Sequence, residues 1–406
     1  MAAAFFLYEF FLRTFVGTLA SQIIPSLHLN MESFAWVEAS YALAYGLMQV
    51  PVGMITDRFG ILRSLLLGIL VCGIATLLFS QSQNLAMAIL ARLLMGFGSA
   101  FGFVCLISIV VKYFPHRYFA FMAGISQFIG TIGPMLAGGP LVNLLQHNQG
   151  QWRLSLSYVS AIAFVLAICI IALWRIPSKT GPIDNNWPKR RSTLGTQLKV
   201  LCKNQQIWFI ACYSGAIYIS LALMGAVWGT SFLQSKGLTQ ISAAYVISAA
   251  WLGYAVGCPI LGVLSDWHCR RNYILIGCAL LGLIATAWII FSDTESCVVY
   301  LTIFFALGVA ASGQNIAIIA MVENALKQVR ATAIGLNNAV ITIFTTAVPP
   351  LVGLIINTSA HGNAIRLHPS DFVSGLIAMP LFFLLALVLV CFFIRETYAK
   401  TISSVI

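Results

Sequence analysis

Glu9 and Arg13 stand four residues apart within one long apolar run. On a helix that spacing places a carboxylate and a guanidinium on the same face, where they can pair. Arg13 lies about 12 Å along the run at ~1.5 Å per residue, near the middle of a bilayer. An unpaired charge in hydrocarbon is expensive, so such groups mark sites of function. Protonation of Glu9 would release Arg13, so a standing brace and a site that opens can alternate. Two further ionisable groups sit in apolar runs: Glu38, one turn into the second, and Arg92 in the fourth. Glu38 is close enough to the run's end to snorkel to water. Arg92 either carries charge into a cavity or satisfies backbone carbonyls near the membrane edge.

The second half of the chain shows no ionisable residue within its apolar runs. It offers aromatic and amide groups instead, among them Tyr218, Gln314, Asn315, Asn337 and Asn338. Amides buried in helices commonly hydrogen-bond across a bundle, and packing is the alternative role for each of them. The wall is therefore lopsided, charged in the first half and neutral in the second. It suits a small solute with a carboxylate and further polar groups better than a greasy cation.

These residues need apolar helices to hold them. The 406-residue chain is 60% hydrophobic and only 8% charged, far below the roughly one quarter charged residues of a soluble protein. A span needs about 20 apolar residues, so about twelve spans fit. Continuous apolar runs exclude a β-barrel, whose strands alternate. The runs fall near 5–27, 34–56, 62–82, 85–113, 118–145 and 153–174, then near 206–233, 241–265, 272–292, 297–322, 331–357 and 371–394. The expected domains are an N-terminal half, 1–174, a linker, 175–205, rich in Pro and basic residues, and a C-terminal half, 206–406. The first run, carrying Glu9 and Arg13, is a permanent span and no cleavable leader.

Most of the 22 Lys and Arg residues fall in alternate connections, whereas the opposite loops hold only Arg153, Lys236 and Arg366. That bias places both termini in the cytoplasm. It also accounts for the net charge of +11 without nucleic acid, since the basic residues are scattered along membrane edges. The cysteines are spread singly through apolar runs, with no metal-ligand spacing. The six histidines fall in or near loops, and no P-loop is present, so neither an enzyme nor an ATP-driven pump is expected, and no cofactor. The Asn357-Thr-Ser sequon carries little weight beside such short loops, and a bacterial inner membrane is the expected location.

Gly53-Met-Ile-Thr-Asp57-Arg58-Phe-Gly60 lies between spans 2 and 3, and Gly262-Val-Leu-Ser-Asp266, with Arg270-Arg271, lies between spans 8 and 9. Gly96 is echoed by Gly308 and Pro140 by Pro350, all about 210 positions apart, so the chain reads as two repeated halves. Gly53 permits close helix approach, Asp57 can accept hydrogen bonds from a neighbouring helix N-terminus or pair with an Arg, and Gly60 permits a tight turn. A charged latch of this kind would close one side and break when the halves rock; a plain charged turn is the alternative.

The Gly53 to Arg63 segment resembles the major facilitator signature G-x-x-x-D-R-x-G-R-R, with Ile61 and Leu62 replacing its basic pair. In the second copy Trp267 stands at the Arg position. Arg92-x-x-x-Gly96-x-Gly98 is similar to the family's span-4 signature, and Gly130-x-x-Gly133-Pro134 with Gly138-Gly139-Pro140 to its span-5 signature. The resemblance implies an all-α membrane protein of twelve transmembrane helices in two six-helix halves, with a solute site between them. It implies substrate contacts from Arg13, Tyr41, Gln127, Tyr218, Gln314, Asn315 and Asn337. It also implies proton coupling through Glu9, Glu38 or Arg92, and gating by Gly53, Asp57, Arg58, Gly60, Asp266 and Arg270. The opening Tyr8 to Arg13 and the Tyr41 to Asp57 stretch look most like bacterial metabolite transporters, and are similar to the animal lysosomal branch that carries dipeptides. The expected activity is gradient-driven transport of a small anionic or zwitterionic metabolite (an amino acid, short peptide or organic acid) by a monomer. The span-5 signature raises a proton-coupled drug-efflux antiporter as the alternative.

Overall fold

The computed structural model describes residues 1–29, 31–137, 139–174, 194–292, 294, 296–359 and 368–398. Gly138, the linker residues 175–193, Arg366, Lys400 and the Asn357 side chain lie outside the described residues. No strand occurs among those described. The helices are α1 (Ala2–Thr18), α2 (Ala20–Ser26), α3 (Met31–Phe59), α4 (Ile61–Ser80), α5 (Leu85–Tyr113), α6 (Phe119–Ala137), α7 (Gly139–His147), α8 (Trp152–Trp174) and α9 (Leu194–Lys203). There follow α10 (Gln205–Ala222), α11 (Gly229–Ser235), α12 (Gln240–His268), α13 (Arg271–Phe291), α14 (Cys297–Ala311), α15 (Gly313–Asn324), α16 (Arg330–Ser359), α17 (Pro369–Leu376) and α18 (Ala378–Val388).

Ten helices among the described residues are long and apolar enough to cross a membrane, where the sequence predicts twelve. They coincide with expected spans 3 to 12. The first expected span is divided at Leu19 into α1 and α2. Backbone bonding nevertheless continues through the break, from Leu19 N–H to the Phe15 carbonyl (3.1 Å) and from Ile23 N–H to the Leu19 carbonyl (2.9 Å). The second, α3, has 29 residues, ample length, but its composition is diluted by Ser40, Tyr41, Tyr45, Gln49 and Thr56. All five are buried, so this polar stripe faces protein. The outward faces are apolar instead: Ile162, Val165 and Ile168 on α8, Ile284 on α13, and Leu381, Leu384 and Leu385 on α18 are exposed. Exposed apolar faces of that extent belong against lipid, and the protein is an integral membrane protein.

The described chain forms two compact units, Met1–Phe114 with Phe128–Leu198 and Lys327–Ala339, and Pro115–Gln127 with Lys199–Leu326 and Val340–Ile406. Each takes in one short segment from the far part of the sequence, and that segment holds the first turns of α16 or of α6. In the first unit α5 packs on α1, α3 and α4; in the second α14 packs on α12 and α13. The repeat is visible at two glycines. A Cβ on Gly96 of α5 would run into the Tyr41 carbonyl oxygen of α3, and one on Gly308 of α14 into the Ala250 carbonyl oxygen of α12. Only glycine lets these backbones approach so closely.

Candidate functional site

Arg13 reaches back one turn along α1 to Glu9, Nη2 to Oε1, at 2.7 Å. Glu9 is fully buried, while about a third of the Arg13 side chain is exposed (32%). The Tyr41 hydroxyl of α3 donates to the same Glu9 oxygen at 3.3 Å. The Arg13 guanidinium lies 4.5 Å from the ring centroids of both Phe10 and Tyr45, an arrangement that stabilises a cation where water is scarce. The second Glu9 oxygen, Oε2, is buried without a hydrogen-bond partner.

Arg92 of α5 completes this cluster from the other side of Tyr41. It is fully buried and donates to the Leu12 carbonyl of α1 at 2.7 Å and to the Val37 carbonyl of α3 at 3.4 Å. Its guanidinium sits 4.5 Å from the Tyr41 ring centroid. Arg92 thus ties three helices together by carbonyl bonding and places a second cation beside the Glu9–Arg13 pair. Arg92 also lies within reach of the Glu38 charge, so two guanidinium groups stand among two carboxylates. Glu38, expected with them, has an exposed side chain.

The remaining expected contacts divide between the units. Asn337, on the first turns of α16, belongs to the first unit and is fully buried. In the second unit the Tyr254 hydroxyl donates to Gln314 Oε1 at 2.7 Å, and Tyr218 lies edge-on to the Tyr254 ring at 5.7 Å. Asn315 Nδ2 reaches the Ala120 carbonyl at 3.5 Å, and Gln127 is buried in the same unit.

The two Asp motifs share one geometry. Asp57 accepts the backbone N–H groups of Ala331 (3.2 Å) and Thr332 (2.9 Å) and the Thr332 hydroxyl (2.6 Å). It therefore caps the N-terminus of α16 from another helix. A Cβ on Gly53 would come within 2.6 Å of the Ala331 carbonyl oxygen, so this glycine is what lets α3 come near enough. Gly60, at φ 89°, turns the chain into α4. Arg58 is exposed and lies over the Phe59 ring at 5.4 Å. In the second unit Asp266 accepts the Phe121 N–H, in the first turn of α6, at 2.9 Å.

The cation beside Asp266 is Arg271, at 2.7 Å. Arg270, expected there, is exposed and donates to the Tyr273 hydroxyl. Arg271 also pairs with Glu323 at 2.9 Å, and both are fully buried. The Thr397 hydroxyl bonds Glu323 as well. The apolar runs of the second half hold no ionisable residue, yet the half buries a charge pair at the ends of its helices. Glu323 lies just past the apolar run 297–322, on the continuous helical stretch Cys297–Asn324, and Arg271 just before 272–292, so hydropathy alone cut both off. The helical register of α15 was the signal available for Glu323.

Residues 1–349 match the family model described as the Major Facilitator Superfamily. The uncharacterised transporter YybO of Bacillus subtilis is 24% identical over 284 residues, 65% of this chain and 63% of that protein. The chromaffin granule amine transporter of Rattus norvegicus is 25% identical over 247 residues, 60% of this chain and 45% of that one. The matches thus cover less than two thirds of either relative. The probable galactarate/D-glucarate transporter GudP of Escherichia coli is 21% identical over 395 residues, 88% of this chain and 86% of that one. Among solved structures, the fucose:proton symporter FucP of E. coli superposes with a TM-score of 0.69 at 14% identity, covering 95% of this chain and 97% of that one. At that identity the likeness establishes the fold alone.

Proposed function

Because this chain belongs to the Major Facilitator Superfamily, a family of membrane transporters, we propose that it carries a small anionic or zwitterionic metabolite by alternating access, coupled to protons. The observation that supports this reading most is the pairing of Glu9 with Arg13 beside Arg92. Glu9 pairs with Arg13, while Arg92 is engaged by backbone carbonyls, so an incoming substrate carboxylate can pair with Arg13 as a protonated Glu9 lets it go. Tyr41 and Tyr45 flank the exchange. In the second unit Gln127, Tyr218, Gln314 and Asn315 are the proposed neutral substrate contacts, and the latches at Asp57 and Asp266 open and close as the halves 1–174 and 206–406 rock. The name of GudP, a probable galactarate/D-glucarate transporter, agrees with an anionic substrate. The loop charges support both termini in the cytoplasm, the short loops a bacterial inner membrane, and the chain acts as a monomer.

The span-5 glycines, which raised drug efflux, have a packing role. A Cβ on Gly130 would strike the Phe6 ring, and one on Gly133 the Leu7 carbonyl. They bring the chain against α1 and give no support to export.

Uptake by purified protein in proteoliposomes tests the reading across amino acids, short peptides and organic acids. Arg13→Ala is expected to lower uptake of the carried anion by more than about thirtyfold, the loss typical of removing one partner from a desolvated charge pair, while eluting as monodisperse protein. Undiminished uptake by that variant would remove Arg13 from the site.

A further inference from the structure

Tyr41 meets Glu9 with one hydroxyl and two acceptors. Its oxygen lies 3.3 Å from Glu9 Oε1 and 3.4 Å from the main-chain carbonyl oxygen of the same residue. Both distances are long beside the usual O–H···O separation of about 2.7–2.8 Å, so the single hydrogen is committed to neither. The hydroxyl also bonds Ser99 of α5, which is fully buried. The Tyr41 ring itself is held fast. Tyr45 stacks on it with centroids 6.0 Å apart and planes 9° apart, and the Arg92 guanidinium lies 4.5 Å from its centroid.

We propose that Tyr41 is the positioning residue that satisfies Glu9 in both of its protonation states, donating to the carboxylate and accepting from the carboxyl. The proposal rests on Glu9 as the group that releases Arg13 on protonation. A hydroxyl holds one hydrogen and two lone pairs, so the Ser99 bond still leaves it able to both donate and accept. Against the ionised carboxylate it donates to Oε1, beside Arg13 at 2.7 Å. When Glu9 is protonated, the new O–H is a donor in a buried site, where an unmade hydrogen bond is costly. That O–H can donate to the Tyr41 oxygen while the Tyr41 hydrogen turns to the Glu9 main-chain carbonyl. Only hydrogens turn: Tyr41 keeps its own, and the coupling proton stays on the carboxyl.

The other groups facing Glu9 are engaged elsewhere. Arg13 of α1 has no acceptor to offer. Tyr45 of α3 bonds Arg13 and Gln49, and the Cys72 thiol of α4 bonds the Met95 carbonyl and the Ser99 hydroxyl. α5 meets the Glu9 side chain with Gly102, where a Cβ would lie 3.5 Å from Glu9 Cβ. On α7 and α8, which also pack on α1, His147 and Tyr158 are exposed, Cys169 is partly exposed, and Arg153 donates to the Ser82 carbonyl. All of the residues invoked belong to one unit.

Infrared difference spectroscopy of the full chain in lipid, taken on stepwise acidification, tests this with the proton alone as the probe. The wild type is expected to gain a protonated-carboxyl band that is missing from Glu9→Gln. In Tyr41→Phe, which keeps the ring and loses the hydroxyl, that band should move to higher wavenumber as its hydrogen bond is lost. A second measurement needs no change at Tyr41. In protein carrying ring-labelled tyrosine, one phenol C–O band should move to lower wavenumber on acidification, as the hydroxyl becomes an acceptor, and should stay put in Glu9→Gln. A Glu9 band at the same position in Tyr41→Phe, or phenol bands that do not respond to acid, would overturn the role of Tyr41 and leave Glu9 as the proton site. If no band separates the wild type from Glu9→Gln, Glu9 does not become neutral, and the coupling reading fails with the proposal.

Discussion

Arg92 shows how one residue can serve both fold and charge. Its guanidinium donates to carbonyls of α1 and α3 and lies on the Tyr41 ring. A lysine keeps the charge but has neither the planar fork nor the stacking face. Arg92→Lys is therefore expected to lower stability by about 1.5–3 kcal/mol, the range for hydrogen bonds to charged groups, read as a lower melting temperature in detergent. It should also loosen Tyr41 and so weaken the grip on Glu9. A melting temperature equal to wild type would show that the carbonyl bonds contribute nothing. At this scale the sequence was a partial guide. Intramembrane charge picked out Glu9, Arg13 and Arg92, and spacing alone paired the first two. It missed Tyr45, one turn beyond Tyr41 on α3, because uncharged polar residues on a helix look alike until a neighbouring helix supplies the face. It also named Arg270 where Arg271 does the pairing, since adjacent arginines at a helix start point about 100° apart and only the fold selects one.

Between helices, the two Asp latches show what the repeat preserves and what it has altered. Both carboxylates cap a helix start supplied by the other half of the sequence, α16 for Asp57 and α6 for Asp266. The second adds a buried ion pair with a further acid, in Arg271 and Glu323. Burial pushes the Asp57 carboxyl up from its ordinary 3.8 to about 6, although the Thr332 hydroxyl and the backbone N–H groups of Thr332 and Ala331 pull it down. A group whose folded value lies above its unfolded one stabilises most below the unfolded value and loses that contribution as pH rises through the folded value. The melting temperature of wild type relative to Asp57→Asn should therefore fall as pH rises from about 4 to about 6 and level off above it. A difference that stayed flat across that range would show that the latch carboxyl is freely hydrated. The motif spacing made the latches legible, because a Gly four residues before an Asp has a steric meaning at any helix crossing. It left the partner helix unnamed, since the capped N–H groups lie far away in sequence. The Leu19 division of the first span and the inward polar stripe of α3 were hidden for a related reason: hydropathy averages over faces that the fold separates.

For the molecule as a transporter, if Arg13 takes the substrate anion as proposed, the charge count at Glu9 and Arg13 sets what must cross the membrane together. With Glu9 ionised, the carboxylate and Arg13 neutralise one another. When a singly charged anion takes Arg13, the buried Glu9 must become neutral, because two carboxylates facing one guanidinium in a dry site cannot both remain charged. On that proposal one proton would accompany one monoanion, and the loaded carrier would move no net charge. Proteoliposome uptake of a monoanion should rise when the outside is made acidic. It should be insensitive to a potential imposed with potassium and valinomycin. Glu9→Gln supplies the neutral form permanently, so it is expected to retain exchange of labelled for unlabelled substrate while losing accumulation driven by the pH gradient. A doubly charged acid carried with a single proton would instead move one negative charge inward, and an inside-positive potential would speed it. Uptake of a monoanion that followed the potential without a pH gradient, or pH-driven accumulation that survived in Glu9→Gln, would take the coupling role away from Glu9.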